Sequence, residues 1–398
     1  MYYLSRGQVP HKRHTQFRKP DGSLYAEELF GVEGFSGRAS LLYHHTAPTQ
    51  THQIELVRQL ALEPWTDDAA GPHRHHLVNS AGVAPSGDAI TGRVPLFYNV
   101  DVIFGVVRPV AAMEHFYRNG EMDEMYFVHE GHGTLETVFG PIDYRPGDYL
   151  VIPIGTTYRM VPGNDEQRML WLECPSTIEP PRRYRNEYGQ MGEHAPFCER
   201  DVRPPAEMAA RTETGDFVVE VKKGGRLTAY HYSFHPFDLV GWDGYLYPYA
   251  FNIEDFEPIT GRVHMPPPTH QCFEGRNYVV CSFVPRMYDY HPLAVPVPYN
   301  HSNIDSDEVL YYVNGNFMSR RGIEVGSFTL HPSGIPHGPH PGATEASLGA
   351  KETKELAVML DTFHPLYVTK DAEPYDDKAY PYSWLEPEGK FTGEGATG

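Results

Sequence analysis

A histidine and a glutamate in the last third of the chain are spaced so that they could share one metal ion only across a turn. Residues 299–315 read YNHSNIDSDEVLYYVNG, and His301 precedes Glu308 by seven positions. Side chains on an uninterrupted strand alternate between two faces, so an odd separation would point the imidazole and the carboxylate to opposite sides. Residues 303–307 favour a turn, and the β-branched and aromatic residues after them favour a strand. The sequence therefore predicts a turn that brings both side chains to one face.

An internal repeat relates this region to an earlier one. Residues 123–133, DEMYFVHEGHG, align with residues 307–317, DEVLYYVNGNF, and residues 145–158, RPGDYLVIPIGTTY, align with residues 324–337, EVGSFTLHPSGIPH. Both halves show strands separated by glycine- and proline-containing turns. Each half resembles a small β-barrel of the cupin type. We therefore predict a mostly-β chain with two cupin-like (jelly-roll) repeats, a bicupin.

The register of the repeat selects candidate metal ligands. It matches three pairs of residues: Tyr117 with His301, Glu124 with Glu308, and Tyr158 with His337. Two imidazoles and a carboxylate suit Fe(II), Zn or Cu, whereas a lone carboxylate with two phenols is a poor site for such a metal. We therefore predict a 2-His-1-carboxylate metal site in the second repeat and a structural role for the first. His115 and Glu121 leave open an alternative site in the first repeat.

The composition argues against several classes of function. Lys and Arg number 33 against 52 Asp and Glu in 398 residues, and the net charge of −19 disfavours nucleic acid and anionic lipid as partners. Apolar segments of signal-peptide or membrane-span length are absent, so we expect a cytoplasmic protein. The four cysteines form no C-x-x-C pair and are expected to be free thiols. Phosphate-loop, nucleophile-elbow and H-E-x-x-H motifs are also absent.

Five other histidines lie in polar, turn-rich segments. They are His11 and His14 in PHKRH and His73, His75 and His76 in PHRHH. Polar side chains in such segments are mostly exposed to solvent. We therefore expect these histidines on the surface.

Five segments carry a resemblance to a known family: SLYAEELFG (23–31), HPFDLVGWDGYLYPYAFNI (235–253), FVPR (283–286), PYNHSN with DE (298–308) and PHGP (336–339). They resemble the homogentisate 1,2-dioxygenases, non-haem iron enzymes that cleave an aromatic ring in tyrosine and phenylalanine catabolism. The resemblance implies Fe(2+) as the cofactor, and it carries the family's iron ligands onto His301, Glu308 and His337, the same three residues that the repeat selects.

The resemblance also implies catalytic roles for other histidines. A substrate-contacting histidine, proposed as the acid or base, falls on His264 in VHMPPPTHQCF, with His270 as the alternative. His331 matches a histidine near the site, although a structural role in a strand is an equal alternative. Phe317 stands where family members carry a tyrosine near the substrate. The implied substrates are homogentisate, or a similar hydroquinone such as gentisate, and O2.

The resemblance further implies a homo-oligomer, a trimer or a hexamer. We expect four segments: an N-terminal repeat with its extension (1–175), a β-rich connection (176–260), the metal-carrying repeat (261–370) and a polar tail (371–398). A metal-dependent cupin of another kind, an isomerase or a binding protein, remains the alternative to a dioxygenase.

Overall fold

The computed structural model describes residues 2–261, 267–314 and 323–385. His264 and Phe317 lie outside the described residues. In chain order the strands are β1 (Leu4–Gly7), β2 (Ala26–Gly31), β3 (Ala39–His44), β4 (Thr51–Gln59), β5 (His76–Val78), β6 (Arg93–Tyr98), β7 (Ile103–Val107), β8 (Phe116–Asn119), β9 (Asp123–Glu130), β10 (Gly133–Thr137), β11 (Gly140–Tyr144), β12 (Asp148–Ile152), β13 (Thr157–Pro162), β14 (Arg168–Cys174), β15 (Val202–Arg203), β16 (Thr214–Lys223), β17 (Arg226–Phe234), β18 (Leu239–Gly244), β19 (Tyr249–Asn252), β20 (Gln271–Gly275), β21 (Tyr278–Phe283), β22 (Arg286–Met287), β23 (Asp307–Asn314), β24 (Phe328–His331), β25 (Glu352–Thr353), β26 (Leu356–Thr362) and β27 (Tyr367–Val368).

Helices within the described residues are short. The α-helices are α1 (Thr66–Ala69) and α2 (Ala343–Ser347). The 3-10 turns are Glu33–Phe35, Ser80–Gly82, Arg182–Tyr184, Glu199–Asp201, Ile253–Asp255, Pro267–His270, Lys370–Tyr375 and Tyr380–Tyr382. No helix in the described part of the chain is long and apolar enough to span a bilayer. The predicted mostly-β fold is confirmed.

The strands form four main sheets and a two-stranded ribbon. The first repeat and the connecting segment (176–260) together build two sheets, the first of which also includes β27. One is eight-stranded, in the order β15-β19-β12-β9-β14-β7-β6-β27, and the other is seven-stranded, in the order β11-β10-β13-β8-β16-β17-β4. The second repeat builds a six-stranded sheet in the order β20-β21-β26-β23-β24-β5. The N-terminal segment contributes to a four-stranded sheet, β1-β18-β3-β2, and the ribbon is β22-β25.

The central strands of the two repeats, β9 and β23, are apolar on both faces. Met125 and Phe127 on β9 join the main core, whereas Tyr126 and Val128 join a second core within the first repeat. Strand β23 divides in the same way, with alternate side chains in the main core and in a small separate cluster. Such strands, buried on both faces, read as continuous apolar runs. Matching alternation in β9 and β23 agrees with the predicted repeat register.

The backbone pairing of the two repeats also matches. Tyr117 pairs with Tyr158 between β8 and β13, and the equivalent His301 and His337 form an isolated β-bridge. The two repeats are therefore equivalent in backbone topology around the candidate ligands. The predicted bicupin organisation is confirmed at this level.

The two halves exchange edge strands. Strand β5, from the N-terminal half, pairs with β24 of the second repeat, and β27, from the C-terminal half, pairs with β6 of the eight-stranded sheet. Aromatic contacts follow the same path, because Phe328 lies 6.1 Å from Phe97 and 6.4 Å from Phe104 between ring centroids. One apolar core thus runs through both repeats and holds them in a fixed relation.

Candidate metal centre

Three side chains of the second repeat converge on one point. The ligand atoms of His301, Glu308 and His337, called the triad below, all lie within 4.8 Å of one another. His301 Nε2 lies 3.5 Å from Glu308 Oε2, and His337 Nε2 lies 3.3 Å from Glu308 Oε1. The structure therefore brings together the three residues that the sequence selected as metal ligands.

A bend in the chain explains how His301 and Glu308 reach one point despite their odd spacing. The chain bends at Ile304 and Asp305, and β23 begins only at Asp307. His301 is held instead by reciprocal backbone hydrogen bonds with His337, at 2.8 and 2.9 Å. Because the bend separates the two strand segments, the alternation of one strand does not fix the relative direction of the two side chains.

His337 leaves one ring nitrogen free for a metal. His337 Nδ1–H donates to the carbonyl of Ile335 at 3.3 Å, which assigns the lone pair to Nε2. That buried Nε2 atom has no hydrogen-bond partner within the described residues, although it faces Glu308. Hydrogen bonding of the second ring nitrogen to a carbonyl is the usual way in which proteins orient a metal-ligating histidine. The donor set fits a divalent first-row metal.

Glu308 is buried among groups that favour its ionised form. His331 Nδ1 lies 3.0 Å from its Oε1, and Asn303 Nδ2 donates to its Oε2 at 3.4 Å. Burial opposes ionisation, but the hydrogen bonds of the His301 and His331 imidazoles outweigh burial and hold the pKa of Glu308 well below its usual range. Glu308 is therefore an anionic carboxylate at neutral pH.

Aspartates at equivalent places anchor the strands that carry the two glutamates. Asp307 accepts backbone N–H groups from Ser333 and Leu366, both at 2.7 Å. In the first repeat, Asp123 accepts backbone N–H groups from Ile154 at 2.8 Å and Ile178 at 3.0 Å. The Asp-Glu pair of each repeat thus combines an anchor for the start of the strand with a buried glutamate.

A second layer of side chains surrounds the triad. His331 is fully buried, its ring lies 4.3 Å from that of His337, and its Nε2 lies 3.0 Å from the Tyr380 hydroxyl. Trp384 Nε1 donates to the carbonyl of Gly338 at 3.0 Å. Sequence reasoning missed Tyr380 and Trp384, since it treated residues 371–398 as a polar tail. Their aromatic character in YPYSW was the available signal.

The expectation for two histidines of PHRHH was wrong. His75 and His76 are 6% and 4% exposed, whereas His73, His11 and His14 are exposed as expected. The His75 ring lies 5.4 Å from the His331 ring and 5.0 Å from the Trp384 ring. Strand β5 buries this segment by joining the edge of the six-stranded sheet.

The three histidines predicted to be catalytic have different positions. His331 contacts Glu308 directly. His270 immediately precedes β20, which two intervening strands separate from β23, and its ring packs on that of Phe283 at 4.6 Å. His264 belongs to residues 262–266, which the structure does not describe. Of the two that lie within the described residues, His331 is the one with a contact to the triad.

An arginine lies among the residues of the first repeat that correspond to the triad. Arg93 Nη2 donates to Glu124 Oε1 at 2.7 Å, and Nη1 donates to Glu173 Oε1 at 2.6 Å. Its guanidinium carbon lies 5.6 Å from the Tyr117 ring centroid, and the Tyr158 hydroxyl donates to Glu124 Oε2 at 2.9 Å. A guanidinium thus supplies the cation beside this buried glutamate. Sequence reasoning missed Arg93 because it lies outside the aligned segments.

The alternative first site is not assembled. His115 is exposed, and Glu121 accepts a hydrogen bond from the backbone N–H of Gly224 at 2.7 Å. Within residues 2–261, 267–314 and 323–385, neither side chain belongs to a group of three or more metal-ligating atoms.

Comparison with known proteins agrees with these features. The family described as "Homogentisate 1,2-dioxygenase N-terminal" matches residues 103–253, which include the first repeat but not the triad. A protein of Saccharolobus solfataricus named "Putative dioxygenase" is 41% identical over 387 residues, covering 96% of this chain and 99% of that protein. Homogentisate 1,2-dioxygenase of Bradyrhizobium diazoefficiens is 30% identical over 277 residues, covering 65% of this chain and 59% of that enzyme.

Among solved structures, a cupin 2 conserved barrel domain protein of Leptotrichia buccalis aligns with 77% of this chain and 100% of its own, at 10% identity and a TM-score of 0.31. Because that score is low, the fold assignment rests on the strand pairing described above.

The fold and its His-Glu-His cluster define a bicupin with a candidate metal site in its second repeat. The chain belongs to a family of dioxygenase-like proteins that includes the Saccharolobus protein, and residues 103–253 match the N-terminal model of the homogentisate 1,2-dioxygenases. The match spans 59% of the Bradyrhizobium enzyme. The comparisons therefore identify a dioxygenase-like protein and do not identify its substrate.

Proposed function

We propose that this protein is a non-haem Fe(II) dioxygenase that opens the ring of homogentisate or of a similarly substituted hydroquinone. The observation that carries the proposal is the convergence of the His301, Glu308 and His337 ligand atoms within 4.8 Å, in a chain similar to the homogentisate dioxygenases. Two imidazoles and one carboxylate are the ligand set of the Fe(II) facial triad.

The residues would have separate roles in binding the metal and in orienting its ligands. His301, Glu308 and His337 would hold the metal, and His331 with Asn303 would orient the Glu308 carboxylate through their hydrogen bonds. A bound Fe(II) supplies open coordination positions for substrate and dioxygen and lowers the pKa of a coordinated phenol.

A general base must accept the phenolic proton of the substrate. The family resemblance proposes His264 for this role, with His270 as the alternative, and a neutral imidazole is suited to it near pH 7. His270 packs on Phe283 of β21, and β26 lies between β21 and β23, so we assign the role to His264 first. His331 already uses both ring nitrogens, toward Glu308 and Tyr380, which favours a positioning role.

A metal analysis with matched variants tests the metal assignment. We expect His301→Ala, Glu308→Ala and His337→Ala, purified without oxygen, to lose bound iron. Their first-repeat counterparts, Tyr117→Phe and Tyr158→Phe, should retain it. Full iron in His301→Ala, or its loss in Tyr117→Phe, would contradict a metal site in the second repeat.

Oxygen uptake tests the reaction and the substrate. The iron-loaded protein should consume O2 with homogentisate, and gentisate and unsubstituted hydroquinone should be compared under the same conditions because Phe317 replaces the family's tyrosine. Binding of a metal without O2 consumption with any of the three would favour a cupin isomerase or binding protein.

The assembly is also a proposal from family membership. We propose a homo-oligomer, a trimer or a hexamer, and sedimentation at micromolar concentration measures it. A monomer of 45.1 kDa would contradict the assembly without affecting the proposed chemistry.

A further inference from the structure

A second group of metal-ligating side chains lies on the seven-stranded sheet, away from the sheet that carries the triad. His52 on β4, Asp216 on β16 and His231 on β17 place one ligand atom each within 4.8 Å of one another. We propose that these three residues, called the surface site below, bind a zinc ion. The surface site does not depend on the proposed dioxygenase function.

A β-bulge directs His52 toward the other two residues. His231 pairs with Gln53 and Tyr232 pairs with Thr51, so His52 is an extra residue without a partner in the ladder. In a regular strand His52 would alternate with Gln53 and would point away from His231. Bulges occur where a strand must redirect a side chain. The irregularity therefore lies at the position that the surface site requires.

Asp216 reaches the same face from the opposite neighbour of β17. Its carboxylate lies 3.1 Å from His231 Nδ1, so the side chain is on the same face as His231. A second irregularity interrupts the ladder of β16 and β17 between Thr214 and Phe217. Three adjacent strands thus present one ligand each, and two of them are irregular at the ligand itself.

The distances suit a single metal ion. His231 Nδ1 lies 3.1 Å from Asp216 Oδ1, and His52 Nε2 lies 3.6 Å from the same oxygen. Ligands at about 2.0–2.2 Å from a tetrahedral zinc lie roughly 3.3–3.5 Å apart. Small movements of exposed side chains would complete the geometry, because His52 and Asp216 are 49% and 62% exposed.

Glu55 supplies the outer hydrogen bond of such a site. His231 Nε2 lies 3.3 Å from Glu55 Oε1, on the side of the ring away from Asp216. A metal-ligating histidine usually donates its other ring N–H to a carboxylate, which fixes the tautomer and raises the basicity of the ligand nitrogen. With Nε2–H directed to Glu55, the lone pair of Nδ1 faces the zinc position.

The ligand set, like that of the triad, suits a divalent first-row metal, and ligand spacing close to that of a tetrahedral site favours zinc among these metals. Imidazole nitrogens disfavour Ca²⁺ and Mg²⁺, which take oxygen ligands, whereas two histidines and one carboxylate are an established zinc set. Three protein ligands leave a fourth tetrahedral position open to solvent. Because the site is exposed, its zinc should exchange with metal in solution more readily than a metal in the buried triad.

Zinc stoichiometry of the full-length protein tests the proposal. The protein is stripped of metal and titrated with zinc against a chromophoric chelator. We expect wild type to bind one more zinc ion per chain than His231→Gln or Asp216→Asn, because any zinc in the triad contributes equally to all three. Glu55→Gln should keep the stoichiometry and weaken binding by about 10- to 100-fold, the usual cost of losing such an outer partner.

His132→Gln is the matched control. His132 Nδ1 lies 2.9 Å from Asp165 Oδ2, and both side chains are exposed, so this pair resembles His231–Asp216 but belongs to no group of three ligands among the described residues. We expect wild-type zinc stoichiometry for this variant. Equal zinc binding by wild type, His231→Gln and Asp216→Asn would overturn the proposal, as would an equal loss in His132→Gln. Iron content measured after anaerobic loading should be unchanged in His231→Gln, which separates this result from the test of the triad.

Discussion

Buried glutamates at equivalent positions of the two repeats receive positive charge or hydrogen bonds from different groups. Glu124 is bound by the Arg93 guanidinium, whereas Glu308 is surrounded by imidazoles. Each also pairs across the sheet with another carboxylate, Glu173 in the first repeat and Asp361 in the second. A buried carboxylate without compensation is costly, so each repeat must provide a cation or a proton. The Arg93 guanidinium provides it in one half, together with the Lys222 ammonium that donates to Glu173, and the proposed metal would provide it in the other.

His331 should control metal affinity without being a ligand. Its first-repeat counterpart is Ile152, since His331 pairs with Glu308 as Ile152 pairs with Glu124. Isoleucine is therefore compatible with this sheet position, and His331→Ile removes the hydrogen bond to Glu308. We expect about 10- to 100-fold weaker iron binding, measured by competition with a chelator.

Tyr380→Phe is the control for this change, since it keeps the contact between His331 and Glu308 and removes only the outer hydroxyl. We expect a smaller loss of affinity in that variant. Wild-type iron affinity in His331→Ile would show that the contact with Glu308 does not position the ligand.

The proposed base should affect turnover more than iron binding. We expect His264→Gln to keep its iron and to lower kcat by about 10²- to 10⁴-fold, the usual contribution of a positioned acid or base. KM should change less, because substrate coordination to the metal does not require this side chain. His270→Gln, measured alongside it with homogentisate, should have the smaller effect. A severe loss in His270→Gln with near wild-type His264→Gln would exchange the two roles.

Strand β6 carries the arginine that pairs with the buried glutamates of the first repeat. It lies beside β7 in the eight-stranded sheet and carries Arg93 to the buried carboxylates of β9 and β14. Glu124 belongs to the aligned segments, whereas Arg93 on β6, Glu173 on β14 and Lys222 on β16 come from strands outside them. The same cupin-like framework therefore carries a structural ion pair in one half and a candidate metal site in the other.

Arg93→Met should strongly destabilise the protein. The change leaves Glu124 and Glu173, which are 1% and 2% exposed, without their guanidinium. Removing one partner from a buried ion pair costs about 3–5 kcal/mol. We expect a loss of this size in the free energy of unfolding, measured by urea denaturation.

Arg159→Met is the matched control, because Arg159 and Glu136 form a partly exposed pair at 2.6 Å. Such pairs contribute about 0–1 kcal/mol. A loss in Arg93→Met no larger than that of the control would contradict the structural role of the buried pair.

At the scale of the whole molecule, the N-terminal segment is held to the body by long-range contacts. Strands β1 and β3 pair with β18, and His44 on β3 joins two carboxylates. Its Nδ1 lies 2.7 Å from Asp238 Oδ1, and its Nε2 lies 2.9 Å from Glu28 Oε2. Burial alone would lower the pKa of His44, but the two carboxylates outweigh it and raise the pKa to about 9.

This shift predicts a pH dependence of stability. The folded protein binds the His44 proton more tightly than the unfolded chain, so the stabilisation is complete below the unfolded pKa of 6.5 and is lost as pH rises through about 9. We expect His44 to contribute a loss of about 3 kcal/mol in the free energy of unfolding between pH 6.5 and pH 9.5. His44→Gln should lack this component in urea denaturation at the two pH values, whereas exposed His11→Gln should retain it. The same pH dependence in His44→Gln as in wild type would contradict the assignment.

The sequence by itself determined the repeat, its register and the three candidate ligands. These features depend on local patterns: alternation of apolar residues, turn residues between strands, and equal spacing in two halves. The backbone equivalence of the Tyr117–Tyr158 and His301–His337 pairs follows directly from that register.

Only the tertiary structure decided what surrounds the ligands. Arg93 is 31 residues from Glu124, Tyr380 is 49 from His331, and the His75 ring reaches the carbonyl of Pro336 across 261 residues. Each contact depends on how separate sheets pack, and no local pattern encodes that. His75 lies in a polar segment but is buried for the same reason, the packing of separate sheets. Strand β5, from the N-terminal half of the chain, pairs with β24 at the edge of the six-stranded sheet.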